Sequence, residues 1–275
     1  MEKLKPRQII FIDSIDDLAH LNLELSQKPY LAVDTEFRRT TKHNMRLALL
    51  QVNDGEEIYL IDAIKIPAPS NECSFLGSES VTKIIHSCKE DLEAIFAWTN
   101  QKMINVFDTQ IAHSFLEDEY SISYQSLVEK KLDISLEKKE TRSNWLRRPL
   151  TDAQLKYAAL DVEYLMHIYL VQLKDLTETQ KLDWHNQDVE KLIDIDVQIP
   201  PLELKRKIPK DQEEEILRKF NKIVIEKATQ EGISKTLFFS KKAQKDFLRS
   251  VILNGVNSAC QGITKWRKEL IRDDI

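Results

Sequence analysis

Glycine is scarce in this chain, 5 residues in 275. No Gly-rich loop is therefore available to cradle a phosphate tail, and nucleotide-cofactor folds built on one are disfavoured. Three cysteines, Cys73, Cys88 and Cys260, are odd in number and far apart. They make neither a metal motif nor a disulfide framework, which fits a reducing cytoplasm. No stretch approaches the ~18 uninterrupted apolar residues of a membrane helix. The start, MEKLKPRQIIFIDSIDD, holds only the short apolar run IIFI before its acids, unlike a secretory signal. Internal repeats and low-complexity tracts are also missing. The expectation is a cytoplasmic globular protein without a membrane partner.

Hydrophobic residues make up 42% and charged residues 31%, enough for one full core domain with a smaller one attached. The net charge of −5 hides an asymmetry: from Pro200 onward there are 17 Lys/Arg against 11 Asp/Glu, while the first 199 residues hold 23 against 34. A basic segment behind an acidic one suits a polyanionic partner, because Lys and Arg neutralise phosphates and release counterions. An ordinary solvated helical domain fits the same numbers.

In chain order, IIFI at 9–12 reads as a strand, and Ser14-x-x-Asp17 opens a helix with Leu18, Leu21, Leu23 and Leu25 on its apolar face. YLAVDTEF at 30–37, LALLQV at 47–52 and IYLI at 58–61 are apolar runs separated by a basic turn at 38–42 and by Asn53-Asp54-Gly55. They predict an antiparallel meander. A surface loop is expected over 67–77. Lys83–His86 is a further short strand, Ser87-x-x-Glu90 a capping box for a helix with Leu92, Ile95 and Phe96 inward, and Val106-Phe107 a strand running into a helix at Asp108-Thr109. Thr151-x-x-Gln154 caps one long helix, TDAQLKYAALDVEYLMHIYLVQL. Strands alternating with helices after an antiparallel start predict an α/β architecture, a mixed sheet flanked by helices. Prolines and basic residues over 195–210 mark a boundary, giving domains at 1–197 and 211–275 joined by a linker at 198–210.

Two acids, Asp34 and Glu36, stand two apart on the second strand and so share a face, roughly 7 Å apart along the chain. Taken alone such a pair is more often a solvated strand end. Asp91 at a helix start, and Asp161 one helical turn after Tyr157, change its company. A buried Tyr bonded to an Asp would explain that second pair without chemistry, but four carboxylates together are an oxygen-only donor set. Such a set suits Mg²⁺ or Mn²⁺ rather than zinc. Two such ions can stabilise both oxygens of an in-line phosphodiester displacement.

The motifs VDTEF at 33–37, IHSCKEDLEAI at 85–95, FDTQIAHSFL at 107–116 and ETRSNWLRRPLTDAQLKYAALDVEYL at 140–165 resemble, in order, those of the ribonuclease D family. This is the tyrosine-type branch of the DEDD 3′→5′ exonucleases. The resemblance implies a ribonuclease H-like exonuclease fold with a smaller all-α domain after it. It implies two divalent cations, Mg²⁺ or Mn²⁺, held by Asp34, Glu36, Asp91 and Asp161, with Tyr157 placing the attacking water. It further implies RNA, such as tRNA precursors, as substrate, release of nucleoside 5′-monophosphates, and a monomer without a stable protein partner. Thr35, Phe37, His86, Gln110 and Arg142 are candidate substrate contacts, and Arg147 and Arg148 candidate phosphate holders. Residues 211–275 are similar, more distantly, to the helical HRDC nucleic-acid-binding module through Trp266-Arg267, although Phe220-Asn221 stands where that module often has Trp-Arg. A 3′→5′ DNA exonuclease would use the same five residues, and a silent RNA-binding protein would have lost one of them.

Overall fold

The structure, a computed structural model, describes residues 7–41, 44–69, 71–136, 143–194 and 209–274. The described chain divides into two compact units, one within Met1–Thr109 and Ser123–Lys174, the other within Gln110–Ile122 and Asp175–Ile275. Neither unit is continuous in sequence. The division differs from a cut near residue 197, since a helix at Leu182–Ile193 belongs to the second unit. Of the expected linker at 198–210, all but its last two residues lies outside the described residues.

The first unit is built on a mixed sheet. Its strands among the described residues are β1 (Ile9–Ile12), β2 (Tyr30–Thr41), β3 (Asn44–Asn53), β4 (Ile58–Ile61), β5 (Thr82–Ile85) and β6 (Val106–Asp108), in the order β1-β4-β3-β2-β5-β6. The meander β2-β3-β4 is antiparallel, whereas β1 on β4, β5 on β2 and β6 on β5 are parallel. Every residue of β3 from Leu47 to Asn53 is buried, as expected of an interior strand covered on both faces. The expected basic turn at 38–42 is instead strand as far as Thr41, because Arg38 and Arg39 pair with Arg46 and Met45. Between Glu36↔Leu49 and Phe37↔Leu47 the register skips Ala48, a β-bulge beside the acid pair.

Helices α1 (Ile15–Leu25), α2 (Lys89–Thr99), α4 (Tyr124–Leu132), α5 (Asp152–Glu163) and most of α6 (Leu165–Glu178) belong to this unit, while α3 (Thr109–Leu116) contributes only its first residue. Both α2 and α5 pack against β2 and β3. On α1 the buried set is Leu18, Leu21, Asn22 and Leu25, with Leu23 out in solvent. Asn22 takes the inward position because its amide bonds to Ser74 Oγ and accepts from the Phe75 N–H. On α2, Trp98 rather than Phe96 completes the buried face. The expected surface loop at 67–77 contains a short 3₁₀ turn, Ser74–Gly77, whose Phe75 and Leu76 are fully buried together with the preceding Cys73. The single long helix expected after Thr151 is two, broken at Tyr164.

The second unit holds the rest of α3 and α7 (Leu182–Ile193), α8 (Lys210–Glu231), α9 (Lys235–Phe238), α10 (Lys241–Asn254), α11 (Val256–Gln261) and α12 (Lys265–Ile271). Trp266 is its fully buried centre, stacked on Trp184 at 5.1 Å and met edge-on by Phe115 at 5.3 Å. Asp188 on α7 accepts from the Trp266 indole at 3.0 Å and from both terminal nitrogens of Arg267, whose guanidinium lies 4.3 Å from the Trp266 ring centre. The Trp-Arg pair is thus an internal clamp of charge-assisted bonds and cation–π contact. No helix of the described residues is long and apolar enough to cross a membrane.

Candidate active site

Each candidate acid is placed by a different local device. Asp34 and Glu36 sit half-buried on β2 next to the bulge, opposite Gln51 and Leu49. Arg148 pins that bulge: it donates to the Ala48 carbonyl at 2.7 Å and forks onto the fully buried Asp62 at 2.6 and 2.7 Å. Its guanidinium is therefore engaged within the fold, which removes it from the phosphate-holding candidates.

Asp91 lies buried in the first turn of α2. The expected capping box from Ser87 does not form. Ser87 adopts a left-handed φ of 65°, and the N-terminal residue of the helix, Cys88, makes no side-chain cap. The buried carboxylate of Asp108, at the end of β6, caps the helix instead by accepting from Ser87 N at 3.2 Å and Cys88 N at 2.7 Å. Thr35 then donates its hydroxyl to the Asp91 carboxylate, tying α2 to β2. Replacing Asp108 by alanine leaves the buried Cys88 N–H and the part-buried Ser87 N–H unpaired, a loss of about 1–3 kcal/mol. Denaturant unfolding should show it, and a loss below ~0.5 kcal/mol would mean the cap is dispensable.

Tyr157 and Asp161 stand on α5, whose start is the expected capping box: Gln154 N donates to Thr151 Oγ1 at 3.2 Å and Thr151 N to Gln154 Oε1 at 3.0 Å. The Tyr157 phenol and the Asp161 carboxylate, one turn apart on this helix, act on each other's protonation, and the buried Trp145 ring packs at 6.1 Å from the phenol ring.

The electrostatics put these side chains within one another's field. Burial raises Asp34, and the Asp161 charge raises it further. Glu36 is pushed up to about 9, first by burial and then by Asp34, Asp161 and Asp91. Burial and Asp34 raise Asp91 against the bond from Thr35, and burial lifts Asp161 to about 7. The Tyr157 phenol is driven upward by burial and by Asp161, Glu36 and Asp34. Among the described residues no lysine or arginine contributes to any of these shifts. A cluster of buried and half-buried carboxylates without a counter-charge among the described residues is fit for a hard cation by its donor chemistry and its unmet charge. Among the described residues no three His, Cys, Asp or Glu side chains converge on one ligating point.

The candidate substrate contacts fall in several places. Thr35 is buried on Asp91, and Phe37 is half-buried at the bulge. His86 Nδ1 meets Thr109 Oγ1 at 2.9 Å, with its ring 5.9 Å from Tyr124. Gln110 belongs to the second unit, where it donates to the Ile122 carbonyl at 2.9 Å. Arg147 is exposed, and Arg142 lies outside the described residues. Asp108, Arg148 and Trp145 place the site, yet periodicity assigns them no such part. Asp108 reads locally as the opening of the following helix, and only its position at a strand end hints otherwise.

A mixed sheet with two acids on an interior strand, covered by helices that bring a third acid and then a tyrosine–aspartate pair, has the ribonuclease H-like exonuclease fold. The chain belongs to the 3′-5′ exonuclease family, whose profile matches residues 9–176, and its similarity is to the ribonuclease D branch. Ribonuclease D of Pseudomonas paraeruginosa is 39% identical over 186 residues, covering 68% of this chain and 49% of that protein. The chain thus spans about half the length of the curated relatives it matches. The crystal structure of Escherichia coli RNase D, an exoribonuclease involved in structured RNA processing, superposes with a TM-score of 0.64 at 26% identity, covering 98% of this chain and 73% of that one. Brucella melitensis NrnC with bound Mg²⁺ is also similar, with a TM-score of 0.57 at 25% identity over 69% of this chain and 90% of that one.

Proposed function

We propose that the protein is a divalent-metal-dependent 3′→5′ exoribonuclease that removes nucleoside 5′-monophosphates from RNA ends. The observation that carries this reading is the shared field of Asp34, Glu36, Asp91 and Asp161, from β2, α2 and α5, with no cation of the described residues among the groups acting on them. These four side chains would hold two divalent cations, Mg²⁺ or Mn²⁺, which when bound supply charge neutralisation and Lewis acidity at phosphorus. The Mg²⁺ in NrnC supports the choice of ion, and the RNase D relatives support RNA, structured RNA included.

Tyr157 has a distinct task. Its phenol, pushed above its ordinary value, stays protonated at neutral pH and is a poor base. It serves as a donor and acceptor that orients the attacking water, with Asp161 fixing its direction. Tyr157→Phe is expected to lower kcat about 100-fold with little change in metal affinity. An unchanged kcat would remove the orienting role.

The reading is tested on matched RNA and DNA oligonucleotides of defined 3′ ends, with Mg²⁺, Mn²⁺ or EDTA. Stepwise shortening of RNA from the 3′ end, dependent on metal, is the expected result. Equal or faster cleavage of DNA would replace the substrate, and internal cleavage would replace the reaction. The helices after residue 210 are proposed as an HRDC-like RNA-binding region. Because Trp266 and Arg267 are committed to their own unit, its RNA contacts fall to exposed side chains such as Lys235, Lys241 and Lys242.

A further inference from the structure

The helix that carries Tyr157 and Asp161 stops at Glu163 although its apolar pattern continues. A side chain from elsewhere in the unit sits in the gap. In an unbroken α-helix the Tyr164 N–H donates to the Leu160 carbonyl. Here the Tyr124 hydroxyl stands between them, accepting from Tyr164 N at 3.1 Å and donating to the Leu160 carbonyl at 3.0 Å. One rung of the ladder is replaced by a side-chain bridge, an established cause of helix breaks. The Val162 carbonyl in the same break is met by the buried Asn53 Nδ2 at 3.0 Å. Two residues distant in sequence thus meet backbone groups of the break, and Asp161 lies inside the bridged turn.

We infer that Tyr124 is a positioning residue, whose hydroxyl fixes the end of α5 and so sets the direction in which Asp161 and Tyr157 face Asp34 and Glu36. Without that oxygen the turn has two courses. Either Tyr164 N closes onto Leu160 and the helix runs on, or both groups are left unpaired in a buried setting. Each course moves or loosens the turn holding Asp161, and displacements near 1 Å at such groups cost about 100-fold in rate. The ring of Tyr124, tilted against His86 at 5.9 Å, is kept by phenylalanine, so Tyr124→Phe isolates the hydroxyl.

The inference rests on the nuclease reading above. Y124F is expected to lower kcat on a short RNA about 30- to 100-fold, with KM within about twofold, while hydrogen exchange at the Tyr164 amide speeds up. In a cycle with Y157F the double variant should lose little more than Y157F alone, because both act on one water-orienting group. Fully additive losses, or Y124F matching an active wild type, overturn the positioning role and leave the nuclease reading intact. A wild-type protein inactive on RNA takes down both. Should Y124F fail to fold, an ester in place of the Tyr164 amide removes the same bond from the other side with every side chain kept. The same loss in kcat is then expected, and an unchanged kcat overturns the inference.

Discussion

Asp34→Asn is expected to lower RNA hydrolysis by at least ~1,000-fold, equivalent to about 4 kcal/mol of lost transition-state stabilisation. Binding of the same RNA in EDTA should stay within about threefold. Asparagine keeps the shape of the side chain but not its charge, and Asp34 is the acid whose field reaches both Glu36 and Asp91. The same change should raise the melting temperature of the metal-free protein, because a charge that burial disfavours is gone and its neighbours ionise more readily. Loss of activity together with a gain in metal-free stability separates an electrostatic site from a packing position, where both would fall. Retained hydrolysis would sink the four-acid site.

The second large effect is the dependence of stability on pH and metal. Carboxylates raised in the fold bind more protons there than in the unfolded chain, so their contribution is full below ~4 and is lost as pH rises through the folded values. With Asp161 at about 7 and Glu36 at about 9, the metal-free protein should lose on the order of 5 kcal/mol between pH 5 and 7. That is on the order of 10 °C in Tm for a chain of this size. Above pH 7 Asp161 drops out and the slope should ease, while Glu36 keeps contributing to about pH 9. Lys83, fully buried and donating to the Ser78 and Val81 carbonyls, is drawn down to about 7 by burial. It contributes in the opposite sense, adding stability from pH 7 towards its unfolded value. Millimolar Mg²⁺ or Mn²⁺ should abolish the fall, since a ligand that binds only the folded state stabilises it by mass action, about 2.7 kcal/mol at a hundred times its Kd. Thermal scans across pH with EDTA and with metal decide it. A profile flat in both conditions would mean that the acids are not crowded as described.

Much of this fold is legible in the sequence because strand alternation and end signals are local. The runs at 9–12, 30–37, 47–52 and 58–61 emerge as β1 to β4, and the Thr151 capping box forms between neighbours in sequence. The five residues proposed for the acid site are read from residue type and motif spacing, and the structure carries them on β2, α2 and α5. What local pattern does not reveal is long-range satisfaction of the backbone. Asp108 replaces a Ser87 cap from twenty positions downstream, Arg148 holds a bulge a hundred residues upstream, and Tyr124 breaks a helix whose own apolar period runs straight through Tyr164. Asn22 on α1 fails the same way, since its inward place depends on the 3₁₀ turn that it caps.

The bridge at Tyr164 also bears on when, during synthesis, this chain acquires its chemistry. The last strand of the sheet is complete at Asp108, and domains generally begin to form from the N-terminal side as the chain emerges. Yet the fourth acid arrives only at Asp161, and the turn that aims it closes only with the amide of Tyr164. A nascent chain can thus have all six described strands and three of the four proposed acids more than fifty residues of elongation before Asp161 and the Tyr164 amide are made.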